Sequence, residues 1–190
     1  MKVGAGLIRA RNRGYTLLEL MITLAIAAIL LTVTVPAYRV QRLNAHMTAA
    51  STDIISNFMS ARAESVGRNT HVTVCKRNED GNACVTDGNW EQGWLTFVSN
   101  SSGSLADPND IIQIHRALPE GMTVWGTSEI EDLITYHPNG LTSLSSTQRL
   151  VLCDERGFDE ARGIVFSIIG KGSVIAASEI AEDKCVEEAP

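Results

Sequence analysis

The side chains that could support catalysis form no recognisable catalytic pattern. The histidines are scattered, with no spacing typical of metal ligands. No G-x-S-x-G motif is present, and no serine or cysteine stands beside a histidine in an arrangement that would activate a nucleophile. We therefore expect no enzyme, no catalytic residue and no cofactor. The four histidines are His46, His71, His115 and His137.

A cation site is not expected either. The acidic segment 107–110 (Asp-Pro-Asn-Asp) lacks the alternating oxygen ligands of a dedicated calcium loop, which favours a solvated turn. The cysteines contain no C-x-x-C pair, which argues against zinc. The sequence thus predicts no metal site.

The four cysteines instead indicate disulfides, because all of them follow an apolar N-terminal segment and lie in the part of the chain predicted to be exported. Cys75 and Cys84 are nine residues apart across a polar turn, which favours a local bridge. That bridge would leave Cys153 to pair with Cys185 and tie down an acidic C-terminal stretch. Four cysteines allow three pairings, so the connectivity stays open at this point.

The N-terminus carries a different kind of chemistry. A basic leader of fourteen residues, with four cations and no acid, ends at Gly14-Tyr15, a flexible site for cleavage. A charge-free run of nineteen residues, 20–38, follows and is about long enough to cross a bilayer as a helix. Glu19 lies at its edge, and a carboxylate costs about 2.5–3.5 kcal/mol at the bilayer centre, so it needs a partner. The leader cations are Lys2, Arg9, Arg11 and Arg13.

Neither a secretory signal peptide nor a plain anchor explains these features together. A signal peptide is cleaved after its apolar core, whereas the small residues here lie in the middle of the run. A plain anchor leaves Glu19 unexplained. The cations before the run predict that this end of the chain stays in the cytoplasm and that the rest is exported.

The segment Arg13-Gly14-Tyr15-Thr16-Leu17-Leu18-Glu19 resembles the class III signal of type IV prepilins and type II secretion pseudopilins. The resemblance implies that a prepilin peptidase cleaves between Gly14 and Tyr15 and methylates the new N-terminus of Tyr15, where most members have Phe. It also implies that Glu19 pairs with the terminal amine of a neighbouring subunit in a filament. Such a pair in apolar surroundings would set axial register more than add stability.

The apolar pattern predicts one long helix, roughly residues 17–66, ending at Gly67. Beyond Tyr38 the continuous apolar run becomes a one-sided stripe, typical of a helix that packs on a domain. Pro36 removes one backbone hydrogen bond near the end of the run and loosens the helix there. Its position matches the family's proline, which implies a role in assembly, although a harmless irregularity fits as well. The stripe residues are Val40, Leu43, Met47, Ala50, Ile54, Phe58 and Ala61.

After the helix, short alternating runs separated by turn residues predict antiparallel strands. The fold class is therefore α+β and type IV pilin-like: a long N-terminal helix, membrane-embedded in its first half, packs on a C-terminal antiparallel β-sheet head. We expect a cleaved leader (1–14), a transmembrane half-helix (15–38), an amphipathic half-helix (39–67) and a periplasmic head (68–190). The predicted strands are 71–75, 94–98, 111–114, 123–125, 133–136, 150–153, 163–169 and 173–177.

Several motifs of the head carry a more specific resemblance: Cys75, Trp90-x-x-Gly93-Trp94-Leu95-x-Phe97, Asn139-Gly140 and Leu152-Cys153-Asp154. Together they resemble the head of the GspH/FimT family of minor pilins and pseudopilins. The resemblance implies a minor pilin that joins other minor pilins in a tip complex and takes part in type IV pilus assembly. The alternative is the equivalent pseudopilin of a type II secretion system. We expect Trp90 and Trp94 to be packing residues.

DNA capture is a further alternative, since some FimT-like proteins bind DNA during natural transformation. Charge argues against DNA as a partner here. The chain has 16 basic and 22 acidic residues, and without the four leader cations the formal charge falls to −10. In DNA-binding relatives a short arginine-bearing segment lies near the C-terminus. The corresponding stretch here, 170–173, offers one cation, Lys171.

Overall fold

The structure is a computed structural model that describes residues 14–101, 103–105, 107–180 and 185. The chain divides into two compact units, one up to Arg42 and one from Leu43 onward, and the boundary lies within the long helix α1 (Leu17–Arg68). α1 is continuous through Pro36. In the first unit the described residues comprise a short N-terminal segment and the apolar half of α1.

The end of α1 lies two residues later than the sequence predicted. The helix continues through Gly67 to Arg68, and Asn69 takes the left-handed conformation with a φ of 53°. The amide of Thr70 donates to the carbonyl of Ser65 (3.1 Å) and the amide of Asn69 to that of Val66 (3.3 Å). This pair of bonds is a Schellman cap, and asparagine is one of the few residues that tolerate the left-handed position. The prediction of Gly67 as the end was therefore wrong.

Within the described residues the second unit contains two antiparallel four-stranded sheets, where the sequence pattern predicted one antiparallel sheet. The first sheet has the order β3-β2-β1-β5 and the second β4-β6-β7-β8. The strands are β1 (His71–Lys76), β2 (Trp94–Ser99), β3 (Ile111–Ile114), β4 (Thr123–Gly126), β5 (Leu133–Tyr136), β6 (Gln148–Cys153), β7 (Arg162–Phe166) and β8 (Gly172–Ala176).

One hydrophobic core joins the second half of α1 to both sheets. Phe58 is fully buried on α1 and stacks on Phe166 of β7 at a centroid distance of 4.6 Å. Trp90 packs against Phe58 at 5.6 Å, and its indole N–H donates to the carbonyl of Ile130 (3.0 Å). Burial of one such side chain contributes about 1.5–3 kcal/mol. The core positions of α1 follow helical spacing: Met47, Ala50, Ile54, Phe58 and Ala61.

The predicted helical stripe begins too early. Val40 is 50% exposed and lies in the first unit, and Leu43 is only partly buried. Met47 is the first apolar side chain of α1 that belongs to the described core. Trp94, like Trp90, is buried as predicted and stacks on His115 at 3.8 Å.

Candidate assembly site

The residues predicted to be processed precede α1. Gly14 and Tyr15 are both exposed, and a Cβ added to Gly14 would meet no atom within 4 Å. The four cations of the predicted leader lie outside the described residues.

Thr16 is a helix cap that the sequence interpretation missed. Its hydroxyl accepts a hydrogen bond from the backbone amide of Glu19 (3.2 Å), and its carbonyl accepts one from Leu20 (3.2 Å). The spacing Thr-x-x-Glu is the capping-box pattern and could have revealed it. Glu19 therefore sits in the first turn of α1, where a negative charge interacts favourably with the helix dipole.

The apolar half of α1 is long and apolar enough to span a membrane. An 18-residue window has a mean hydropathy of 2.4, and none of it is buried inside the chain. Its threonines satisfy their hydroxyls within the helix: Thr23 donates to the carbonyl of Leu20, Thr32 to Ile29 and Thr34 to Leu30, at 2.7–2.9 Å. Such bonding removes the cost of placing a hydroxyl in hydrocarbon.

Cys75 and Cys84 form a disulfide with a Cα–Cα distance of 5.7 Å. The neighbouring Lys76 is buried at the end of β1, and its ammonium donates to the carbonyls of Thr86 (3.0 Å) and Gly88 (2.8 Å). It also pairs with the carboxylate of Asp132 at 2.6 Å. The disulfide and this lysine together fix the loop that follows β1.

Cys153 and Cys185 form the second disulfide, with a Cα–Cα distance of 5.6 Å. It ties Cys185 to the end of β6, and Ile180 packs with Val151 and Cys153. At Gly163 an added Cβ would come within 2.7 Å of Ile175 and 3.3 Å of Ile180, so a side chain there would push against Ile175. The other tail residues after Ile180 lie outside the described residues.

The loop after β6 is tied to α1 by a charged contact. Asp154 is buried and accepts hydrogen bonds from the guanidinium of Arg156 (3.0 and 2.5 Å), which also donates to the side chain of Asn44 (2.8 Å). Burial by itself would raise the pKa of Asp154, but the hydrogen bonds and charge of Arg156 outweigh it and hold that pKa below its usual value. The pair is therefore ionised at neutral pH.

Lys171 is exposed in the turn between β7 and β8. Gly170, with a φ of 74°, fits beneath it because a Cβ would come within 2.8 Å of the carbonyl of Gly140 and 2.9 Å of Arg62. The Arg62 guanidinium donates to that same carbonyl (2.9 Å). The structure thus places a second cation, on α1, beside the turn that carries Lys171.

Among the described residues no group of three or more His, Cys, Asp and Glu side chains could hold a metal ion. Asp107 accepts hydrogen bonds from the amide and the side chain of Asn109, both at 2.8 Å, which closes a turn. His71 and His137 touch edge to face at 5.1 Å, while His115 stacks on Trp94. These contacts give His71, His115 and His137 a packing role.

Two solved structures share this fold. Both are crystal structures of the type IV minor pilin FimU from Pseudomonas aeruginosa, 18% identical, with TM-scores of 0.59 and 0.55. They cover 74% and 72% of this chain and 96% and 98% of their own. At this identity the likeness concerns the fold alone. A third, the minor pseudopilin EpsH from the Type 2 Secretion System of Vibrio cholerae, is 12% identical, has a TM-score of 0.49 and covers 70% of this chain and 99% of its own.

Comparison with known families gives one match in each of the two units. No curated protein matches the chain. The prokaryotic N-terminal methylation motif matches residues 9–35, and the family described as type II transport protein GspH matches residues 50–170, more than half of the chain. The chain therefore belongs to the GspH/FimT family of minor pilins and pseudopilins.

Proposed function

We propose that this chain is a minor pilin that a prepilin peptidase processes and that then joins other minor pilins in the tip complex of a type IV pilus. The observation that carries the proposal is the joining of a methylation-motif helix to a GspH-type head in one chain. The helix is the polymerisation handle, and the head surface selects neighbours. The two FimU structures, of a type IV minor pilin, support the pilus assignment by fold.

In this proposal the residues before Tyr15 are a cytoplasmic leader, 15–38 cross the inner membrane, and 39–67 connect to a periplasmic head, 68–190. Cleavage between Gly14 and Tyr15 creates an ammonium at the start of an apolar helix. An apolar environment penalises either charge alone, so the ammonium of one subunit pairs with Glu19 of its neighbour and sets their register. Pro36 loosens the helix during assembly. No residue is assigned a catalytic role.

The second candidate is the pseudopilin of a type II secretion system, which the description of the matching family favours. A deletion strain scored in parallel for surface pili and for secreted enzymes separates the two. Loss of pili with normal secretion is the expected result. Loss of secretion with normal pili would assign the chain to the secretion system instead, and complementation with the wild-type chain controls for effects on neighbouring genes.

DNA capture has less support. Lys171 and Arg62 lie together at one turn, but the chain without its leader cations carries a formal charge of −10. Proteins that bind duplex DNA do so mainly by neutralising phosphates, which makes their affinity strongly salt-dependent. Tight duplex binding by the detergent-solubilised chain that weakens steeply with salt, and that Lys171→Glu abolishes, would reverse this ranking.

A further inference from the structure

The turn between β7 and β8 (residues 167–171) exposes two isoleucines to solvent, and hydrogen bonds hold its backbone in place. Ile168 is 42% and Ile169 59% exposed. The amide of Gly170 donates to the carbonyl of Ser167 (2.8 Å), and the amide of Thr142 donates to the carbonyl of Ile168 (2.9 Å). Because these bonds hold the backbone in place, the isoleucines cannot fold inward without breaking them. Exposed apolar side chains in such a setting mark a contact surface.

The charge around this turn is positive. Lys171 follows the isoleucines, Arg62 lies against Gly170, and segments 137–142 and 167–173 contain no acidic residue. In a chain with an excess of acids, this end of the head is a basic exception. A surface that combines apolar side chains with cations fits an apolar surface with an acidic rim.

Such a surface lies at the other end of the same hairpin. A groove of about 330 Å³ runs between residues 159–162 and the end of β8. Ala161, Val174 and Ala176 contribute its apolar lining. Asp159 and Glu160 provide carboxylates and Arg162 a guanidinium, and Glu160 also lies 3.4 Å from Arg156. The surrounding segments 154–162 and 174–179 carry five acidic residues against two arginines.

We propose that the 167–171 turn docks into this groove on a second copy of the chain. Ile168 and Ile169 enter the apolar groove, and Lys171 faces the carboxylates of Asp159 and Glu160. The inference rests on the proposed assembly function. Both surfaces belong to every copy but cannot meet within one chain, since they lie at opposite ends of β8. The contact is therefore heterologous, with a different surface contributed by each of the two copies.

The positions along α1 give the contact a defined offset. The turn lies beside Arg62, and the groove residue Arg162 donates to the hydroxyl of Thr48 (2.8 Å). Fourteen residues separate these helix positions, which is about 21 Å at 1.5 Å per residue. Two copies with parallel helices would therefore be displaced by about that distance.

The contact is too small to hold two free molecules together. A stable interface buries about 800 Å² per partner, far more than two isoleucines supply. Membrane-anchored helices raise the effective concentration of the heads, so a weak contact forms between neighbours. The test must therefore use the full chain in its membrane.

The experiment places the photo-crosslinker p-benzoylphenylalanine at Ile169 of the full-length chain, expressed together with a second, differently tagged copy. Irradiation should give a doubly tagged product, with the crosslink mapping by mass spectrometry to residues 159–177 of the second copy. The matched control carries the crosslinker at Ile114, which is 52% exposed but lies on the first sheet. No doubly tagged product is expected from it.

Charge reversal tests the polar part of the contact. Lys171→Glu should lower the crosslinked yield about threefold, the size of effect expected for an exposed ion pair. Adding Asp159→Lys and Glu160→Lys should restore it. Arg116→Glu, which reverses an exposed cation elsewhere on the head, should leave the yield unchanged.

Three results would overturn the proposal: no crosslink from Ile169, a crosslink only to a different pilin-type subunit, or a yield that charge reversal does not alter. Whether these results also contradict the assembly function depends on the phenotype of the deletion strain. If the deletion strain lacks pili or secretion but Ile169 gives no crosslink, the contact is wrong and the assembly function stands. If the strain keeps both and no crosslink forms, both proposals fail.

Discussion

The two halves of α1 contain similar apolar residues, but these side chains are exposed in the first half and buried in the second. From Leu17 to Val35 the large apolar side chains for which the structure gives exposure are more than half exposed, whereas Met47, Ile54 and Phe58 are fully buried. Part of the difference is chemical context: the second half alternates apolar with polar residues, while the first half is apolar all round. The first half must find its partners outside the chain, so changes there should alter processing and assembly. Changes in the second half should alter folding.

The largest effect on processing is expected from a substitution of Gly14. Gly14→Leu should abolish cleavage, because a bulky residue replaces the glycine that precedes the cut, while the head keeps its fold. Immunoblotting for a mobility shift and N-terminal sequencing of the membrane-bound chain measure it. The control is Gly67→Leu, at a glycine where an added Cβ would also meet no atom within 4 Å. Normal processing of Gly14→Leu would refute the prepilin assignment.

We proposed that the charge of Glu19 pairs with a neighbouring subunit, and its backbone amide donates to the capping hydroxyl of Thr16 (3.2 Å). Glu19→Ala should spare insertion and strongly reduce incorporation into filaments, measured as the fraction of the chain in sheared pili. Glu19→Gln keeps the capping ability of the side chain but removes its charge. If the charge pairs with a neighbouring amine, both variants are equally impaired. Full incorporation of Glu19→Gln would show that the charge of this residue is not required for assembly.

Substitutions in the half of α1 that contributes to the core should lower the stability of the head. Phe58→Ala removes a ring that stacks on Phe166 and should cost about 3–5 kcal/mol of unfolding free energy. Leu24→Ala, at a residue that is 69% exposed, should leave the stability of the head unchanged. Limited proteolysis of the detergent-solubilised chain across a urea gradient compares them. Equal destabilisation by the two variants would contradict the division of α1 into an exposed half and a half that contributes to the core.

The two disulfides should stabilise the head by different amounts. Their sequence separations are 32 residues for Cys153–Cys185 and 9 for Cys75–Cys84. A chain-entropy model gives about 4 and about 3 kcal/mol for loops of these lengths. Replacing each pair by serines and measuring urea midpoints checks the order. The reverse order would show that strain or packing around the bridges outweighs loop closure.

The smallest expected effect is a pH dependence from Asp154. Its pKa is lowered in the folded chain, so the unfolded state binds the proton more readily and the pair stabilises the fold above pH about 4. This contribution is lost as the pH falls through the folded-state pKa. Asp154→Asn should cost about 2 kcal/mol at pH 7, within the range for a hydrogen bond to a charged group, and less at pH 3. A cost that does not vary with pH would assign the effect to packing.

Local patterns predicted much of the head correctly. Each of the eight predicted strand segments overlaps a strand, because alternation and turn residues are read over a few positions. Pairing could not be predicted in the same way. β1 pairs with β5, whose residues lie about sixty positions later, and nothing in the local sequence of either strand specifies this partner. The division into two sheets follows from such distant contacts.

Lys76 and Val40 show that the burial of a single residue could not be predicted from its local sequence. A lysine at the end of a strand is ordinarily exposed, yet Lys76 is buried because two carbonyls of the following loop and Asp132 surround its ammonium. Val40 continues the apolar spacing of the stripe but is 50% exposed. Neither outcome follows from the local pattern, and the charged partner of Lys76, Asp132, comes from a distant part of the chain.

The features that depend on neighbouring residues are readable along the chain: the methylation signal, the apolar half-helix, the capping box and the positions of the strands. Each results from composition and spacing within one segment. Three other features required the folded chain: where the core begins on α1, how eight strands divide between two sheets, and that an apolar basic turn and an acidic groove lie at opposite ends of one hairpin. Those features depend on which distant segments pack together, and that is a property of the whole fold.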